Sequence, residues 1–145
     1  MENFDQLKLK NQMCFPLYAA SKELIRSYTP FLEPLGITYT QYLVLLVLWE
    51  EKEIGVKELG SRLYLDSGTL SPLLKKLIEK EYIKKARKDG DERNVIISLT
   101  QKGLDIKEEA KEIPFKVGKC INLTIEESGM LYNLLYKMLG GFKNE

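Results

Sequence analysis

Histidine is absent from the 145 residues, and cysteine occurs only twice, as Cys14 and Cys120. Without an imidazole there is no general base for a Ser-His catalytic triad, and no enzyme activity is expected. Two cysteines so far apart, with no histidine to join them, do not suggest a structural zinc site, so the residues nominate no metal and no cofactor. Nor do they make a disulfide framework. Long apolar runs are missing as well. The longest, Tyr42 to Trp49, falls far short of the ~20 residues that a helical membrane span needs, and no membrane partner is expected. The opening Met1-Glu2-Asn3-Phe4-Asp5 is acidic and leads into no apolar stretch, so no export signal is expected. The cytoplasm, where thiols stay reduced, is the expected compartment.

What is present describes a folded globular chain: 44% hydrophobic and 30% charged residues over a length that suits one domain, residues 1–145. The net charge of +1 says less than its distribution. Residues 75–93 hold eight basic and five acidic side chains, an excess of three positive charges, while the remainder is net negative. A phosphate backbone responds to such local potential, not to the sum over the chain.

The pattern is mainly helical. Asn11 is placed to cap a first helix carrying Cys14, Leu17, Tyr18, Leu24, Ile25 and Tyr28 on apolar spacing. Pro16 fits it only in the first turn, so a start near Met13 or a local kink is expected. Thr38-Tyr39-Thr40-Gln41 is a capping box that opens a second helix to about Glu50. Val56 to Leu63 is a compact third helix. Asp66 or Ser67 caps a fourth, with Leu70, Leu73 or Leu74, and Leu77 inward. Two short strands follow, Tyr82 to Arg87 and Val95 to Leu99, around the turn-rich Lys88-Asp89-Gly90-Asp91. Thr100 caps a helix to about Pro114, and a second capping box at Thr124 opens the last, ended by Gly140-Gly141.

This order is that of a winged helix-turn-helix at about residues 54–99, flanked by apolar helices at about 11–35 and 101–141. The outer helices are too apolar to stand in solvent, and closing them over a second copy makes a homodimer the economical solution. In such a module the fourth helix enters the major groove of double-stranded DNA. Ser67, Gly68, Thr69, Ser71 and Pro72 permit close approach, Lys75 and Lys76 suit the phosphates, and Arg87 or Arg93 at the hairpin suits the minor groove. An ordinary lysine-rich solvated surface is the plain alternative.

Cys14 has two local features that a space-filling cysteine lacks. Its first-turn position aims unpaired N–H groups toward the sulfur, and Tyr18, one turn on, shares its face and offers a hydroxyl. Tyr28 is fourteen residues away, about 21 Å along a straight helix. Short of a sharp bend in the helix, it reaches a Cys14 only on a partner whose first helix crosses antiparallel.

Asp91-Glu92-Arg93-Asn94-Val95-Ile96-Ile97-Ser98-Leu99-Thr100 resembles the wing signature of the MarR family of regulators. Tyr64 to Leu77, and Asn11-Gln12-Met13-Cys14-Phe15 with Tyr18, resemble that family's OhrR branch, the organic-hydroperoxide-sensing repressors. The resemblance implies a homodimer that holds operator DNA while Cys14 is reduced and releases it when an organic hydroperoxide, the inducer, oxidises that thiol. It implies that Tyr18, Tyr28 and Tyr39 hydrogen-bond the cysteine, the last two from the other subunit, and that Asp91 supports Arg93 in the minor groove. It leaves Cys120 open: one part of the branch resolves the oxidised cysteine with a distal cysteine of the partner, the other with a small cellular thiol. Pro16 departs from the branch, which more often has an aliphatic residue there. Two rivals stand beside this reading: a MarR-type regulator answering phenolic or lipophilic acids, and a thiol peroxidase.

Overall fold

The computed structural model describes residues 2–87 and 94–142. The chain opens with two 3-10 turns, Asp5–Leu7 and Leu9–Asn11. Asn11 does not cap the first helix. Its side-chain amide donates back to the Asp5 carbonyl at 2.6 Å, and Gln12 donates to the carbonyls of Gln6 and Lys8. Helix α1 (Cys14–Leu32) starts after Met13 without a side-chain cap. Pro16 is then the third helical residue, where no backbone donor is needed, so it sits without a kink. Pro30 lies inside the last turn, and a 3-10 turn Glu33–Leu35 carries Pro34. Gly36 closes it at φ 69°, left-handed backbone that a side chain would strain.

The Thr38 box forms as expected. The Gln41 backbone N–H donates to Thr38 Oγ1, and the Thr38 N–H donates to Gln41 Oε1 at 2.9 Å. Helix α2 (Tyr39–Glu51) buries Tyr42, Val44, Leu45 and Leu48, which accounts for its nearly continuous apolar sequence. The winged module follows: strand β1 (Glu53–Gly55), helix α3 (Val56–Leu63), helix α4 (Ser67–Glu79), strand β2 (Ile83–Arg87) and strand β3 (Val95–Leu99). All four leucines named for the expected inward ridge of α4 are buried, Leu73 and Leu74 both being core. The short link before α3 is strand β1, which the sequence reading did not include. It pairs antiparallel with β3, as Glu53↔Ser98 to Gly55↔Ile96, giving the order β1-β3-β2. The shared core runs through Leu45, Leu48, Leu59, Leu70, Leu77, Ile83 and Ile97.

Thr100 caps helix α5 (Gln101–Ala110) by accepting from the Gly103 N–H at 3.0 Å. The single helix expected to run to about Pro114 is in fact two. The chain turns at Lys111 and Glu112, and Pro114 enters helix α6 (Ile113–Gly118) in its first turn, where a proline is tolerated. Thr124 and Glu127 cap helix α7 (Ile125–Phe142) reciprocally. Gly140 and Gly141 do not end it; both lie within its last turn.

Two long-range hydrogen bonds tie the lobes of the chain together. The Tyr82 hydroxyl donates to the Leu35 carbonyl at 2.6 Å, and Trp49 Nε1–H donates to the Gly103 carbonyl at 2.9 Å. The outer helices are different in kind. α7 buries none of its residues, and α1 buries only Leu32. Among the described residues no single helix is long and apolar enough to cross a membrane.

Candidate nucleic-acid interface and thiol site

Asp66 fixes the start of α4 by accepting from the Thr69 backbone N–H at 2.8 Å, and this bond holds its carboxyl below the usual carboxylate range. The ridge of buried leucines then turns the other face outward. Ser67, Gly68, Thr69, Ser71, Pro72, Lys75 and Lys76, the positions expected to face DNA, are all exposed. Pro72 has no N–H, so it removes the helical donor to the Gly68 carbonyl in the middle of this surface. Arg87 ends β2, exposed, on the side where the hairpin begins. Asp91 and Arg93 lie outside the described residues. An open trough of about 380 Å³ runs beside α4, between the start of α3 and the sheet.

Cys14 is exposed at the first position of α1, and Tyr18 is exposed one turn further on. The Lys22 ammonium lies 5.3 Å from the centre of the Tyr18 ring. At the other end of α1, Tyr28 packs on Tyr39 of α2, ring centres 4.8 Å apart. The structure therefore brings Tyr28 and Tyr39 together but keeps both from the Cys14 of their own chain, because α1 is unbroken between residues 14 and 28.

A further aromatic joins them. Tyr42 lies 5.7 Å from Tyr28 and 6.3 Å from Tyr39, and its other edge meets Trp49. In sequence Tyr42 read only as part of an apolar run; its spacing of three from Tyr39 on one helix was the available signal. Burial raises the Tyr28 and Tyr39 phenols above the ordinary tyrosine value, and pushes Tyr42 up to about 12. All three are thus protonated donors at neutral pH. Among the described residues neither the Tyr28 nor the Tyr39 hydroxyl hydrogen-bonds within the chain, although the rings are packed.

Cys120 is exposed in the turn after α6, its Sγ 3.7 Å from the Lys116 carbonyl. Among the described residues no three His, Cys, Asp or Glu side chains gather as metal ligands.

The family model described as transcriptional regulator SarA/Rot matches residues 26–110. The organic hydroperoxide resistance transcriptional regulator of Bacillus subtilis is 47% identical over 140 residues, which cover 96% of this chain and 95% of that protein. Among solved structures, reduced AbfR bound to DNA superposes with a TM-score of 0.81 at 34% identity, covering 97% of this chain and 96% of the other. The disulfide-formed state of AbfR, a protein of Staphylococcus epidermidis, gives 0.67 at 34% identity, with 94% and 93% covered. With a curated relative at 47% identity and a DNA-bound structure paralleled along nearly the whole length, the chain belongs to the MarR family of winged helix-turn-helix transcriptional regulators, within its redox-sensing branch.

Proposed function

We propose that this protein is a homodimeric repressor that holds operator DNA while Cys14 is a free thiol and lets it go when an organic hydroperoxide oxidises that thiol. The observation that carries the reading is the division of the site. Cys14 and Tyr18 stand exposed at one end of α1, while the packed Tyr28–Tyr39 pair stands at the other with both hydroxyls unspent. An antiparallel crossing of α1 with the α1 of a second copy brings each cysteine to the other's tyrosine pair. The apolar residues left exposed on α1 and α7, among them Phe15, Leu17, Met130, Leu131 and Leu134, are the surface such a dimer covers. The proposed dimerisation helices are therefore those at about residues 11–35 and 101–141, around a reading module at about 54–99. A reducing cytoplasm is the compartment in which such a switch rests in its binding state.

The chemistry is a two-electron transfer. The Cys14 thiolate attacks the terminal peroxide oxygen, the O–O bond breaks, and the alkoxide leaves as an alcohol after taking a proton. Sulfur is oxidised to sulfenic acid and the peroxide is reduced. Three tyrosine donors that stabilise a thiolate are wrongly arranged for a bulkier, protonated sulfenic acid, so α1 shifts. Because Tyr28, Tyr39 and Tyr42 join α1 to α2, and α2 packs on α4, that shift is carried to the recognition helix. Cys120 of the partner is the candidate resolving thiol: its attack on the sulfenic sulfur expels water and leaves a disulfide. Its exposure beside the apolar face, and the disulfide-formed state known for AbfR, favour it over a small cellular thiol.

The test is a gel-shift titration of reduced protein on its own upstream DNA, with and without one equivalent of cumene hydroperoxide. Binding should be lost with peroxide and restored by reductant, and the Cys14→Ser protein should bind regardless. Cys120→Ser should still be released but form no inter-subunit disulfide on a non-reducing gel. Binding that peroxide leaves untouched would refute the redox switch and favour release by a bound phenolic or lipophilic acid.

A further inference from the structure

The trough beside α4 takes lysines from three elements, Lys57 of α3, Lys75 of α4 and Lys85 of β2, over a floor that includes Leu74, Ile78 and Val95. Sheet register explains why Lys85 is there. It pairs with Ile97, and Ile83 pairs with Leu99, so Lys85 shares the face of Ile83 and Ile97, which is packed against the helices. Lys84 pairs with Ser98 and points to the opposite face. Three lysines from separate elements thus border one trough beside the recognition helix, which Ser67 and Ser71 at its exposed start also line.

An apolar floor with a cationic rim does not suit a hydrated inorganic anion. It suits a strand of alternating deoxyribose carbons and phosphate oxygens. We propose that the trough seats the sugar–phosphate backbone of the operator strand flanking the major groove, and that Lys57 and Lys85 are phosphate contacts beyond those on the recognition helix. Continuity with the exposed face of α4 fixes the occupant as the same DNA that this helix reads. The inference rests on the DNA-binding part of the proposed function and is independent of the redox switch. Its consequence is positional: contacts from α3, α4 and β2 to one strand lock the depth and angle of α4 without reading sequence.

Neutralising one phosphate contributes about 0.9 to the slope of log affinity against log salt. Each lysine occurs twice in a homodimer, so Lys57→Gln and Lys85→Gln should each lower the slope by about 1.8. Between 50 and 200 mM salt the unmodified protein should then lose about twelvefold more affinity than either variant. The experiment is fluorescence anisotropy on operator DNA and on a scrambled duplex over that range, with reduced protein. Both variants should weaken both duplexes alike, Lys57→Arg and Lys85→Arg should restore the slope, and Lys84→Gln should leave it within error. Thermal melts of each variant check folding. An unchanged slope for either lysine overturns the shared seat, as does an equal fall with Lys84→Gln, which would mean a diffuse field. Failure of the unmodified protein to bind operator DNA at all would instead refute the DNA-binding reading.

Discussion

Replacing Gly103 with alanine should damage this protein more than any other single-methyl change in α5. Gly103 is buried, and a Cβ there would sit well inside 3.0 Å of the Tyr82 carbonyl oxygen and 3.0 Å from Leu99 Cδ2. Tyr82 cannot yield freely. Its carbonyl accepts from the Thr100 N–H at 3.2 Å, and its hydroxyl is anchored to the Leu35 carbonyl at the far end of the ring. Gly103 is itself pinned, its N–H donated to the Thr100 cap and its carbonyl accepting from Trp49. Overpacking of a tight core costs about 1–3 kcal/mol, and loss of the Thr100–Tyr82 bond adds roughly 1 kcal/mol, for a total of about 2–4 kcal/mol. For a chain of this length that lowers Tm by roughly 5–15 °C. The assay is urea unfolding at one fixed protein concentration, since a dimer's midpoint depends on concentration. The midpoint should fall while the slope with urea holds. A loss below about 1 kcal/mol would mean that α5 and the sheet slide apart easily, and would refute the tight junction argued for them.

Tyr82→Phe leaves the Leu35 carbonyl without its donor in a buried place and should cost about 1–3 kcal/mol in the same assay; a neutral result would mean that water reaches that carbonyl. Tyr28→Phe removes a hydroxyl with no bond inside the chain, so stability should hold while stopped-flow release of DNA by peroxide slows several-fold; an unaltered rate would sink the contact between subunits. Asp66 has its folded value depressed by the Thr69 N–H, so its capping contribution is full above the unfolded carboxylate value and is lost as pH falls through the lower, folded one. The stability difference between the unmodified protein and Asp66→Ala should therefore shrink in acid, and a constant difference from pH 6 to pH 2.5 would contradict the charged cap.

What could be read from the chain alone was whatever depends on neighbours within a few residues. The boxes at Thr38 and Thr124, the Asp66 and Thr100 caps and the leucine ridge of α4 are local, and each formed where its residues lie. Strand β1 is not local. Glu53-Ile54-Gly55 is too short to show alternation and is a strand only because Val95–Leu99 lies beside it. Gly140-Gly141 misled because a glycine stops a helix only where the chain also needs left-handed backbone, and here it does not. Asn11 falls two residues short of Met13, which precedes the helix, and its side-chain amide donates instead to the Asp5 carbonyl. The candidate site was legible as a set of residue types, but its layout was not. Tyr42 entered it through the packing of α1 on α2, Lys85 reached the trough beside α4 through the register of the sheet, and Lys57 reached it through the packing of α3 beside α4, all of which are tertiary facts.

Helix α7 has a further consequence. Eighteen residues that bury nothing in their own chain have no reason to stay in place until a second copy arrives. For a chain that pairs with itself, the amount of protein becomes part of its structure: the population of complete molecules rises with the square of the chain's abundance at low dose. A regulator built this way loses its grip steeply as its own level drops. Halving the supply of chain and adding an inducer then both lower occupancy of the operator, one through pairing and the other through the thiol, so the threshold of the response is set by dosage as well as by chemistry.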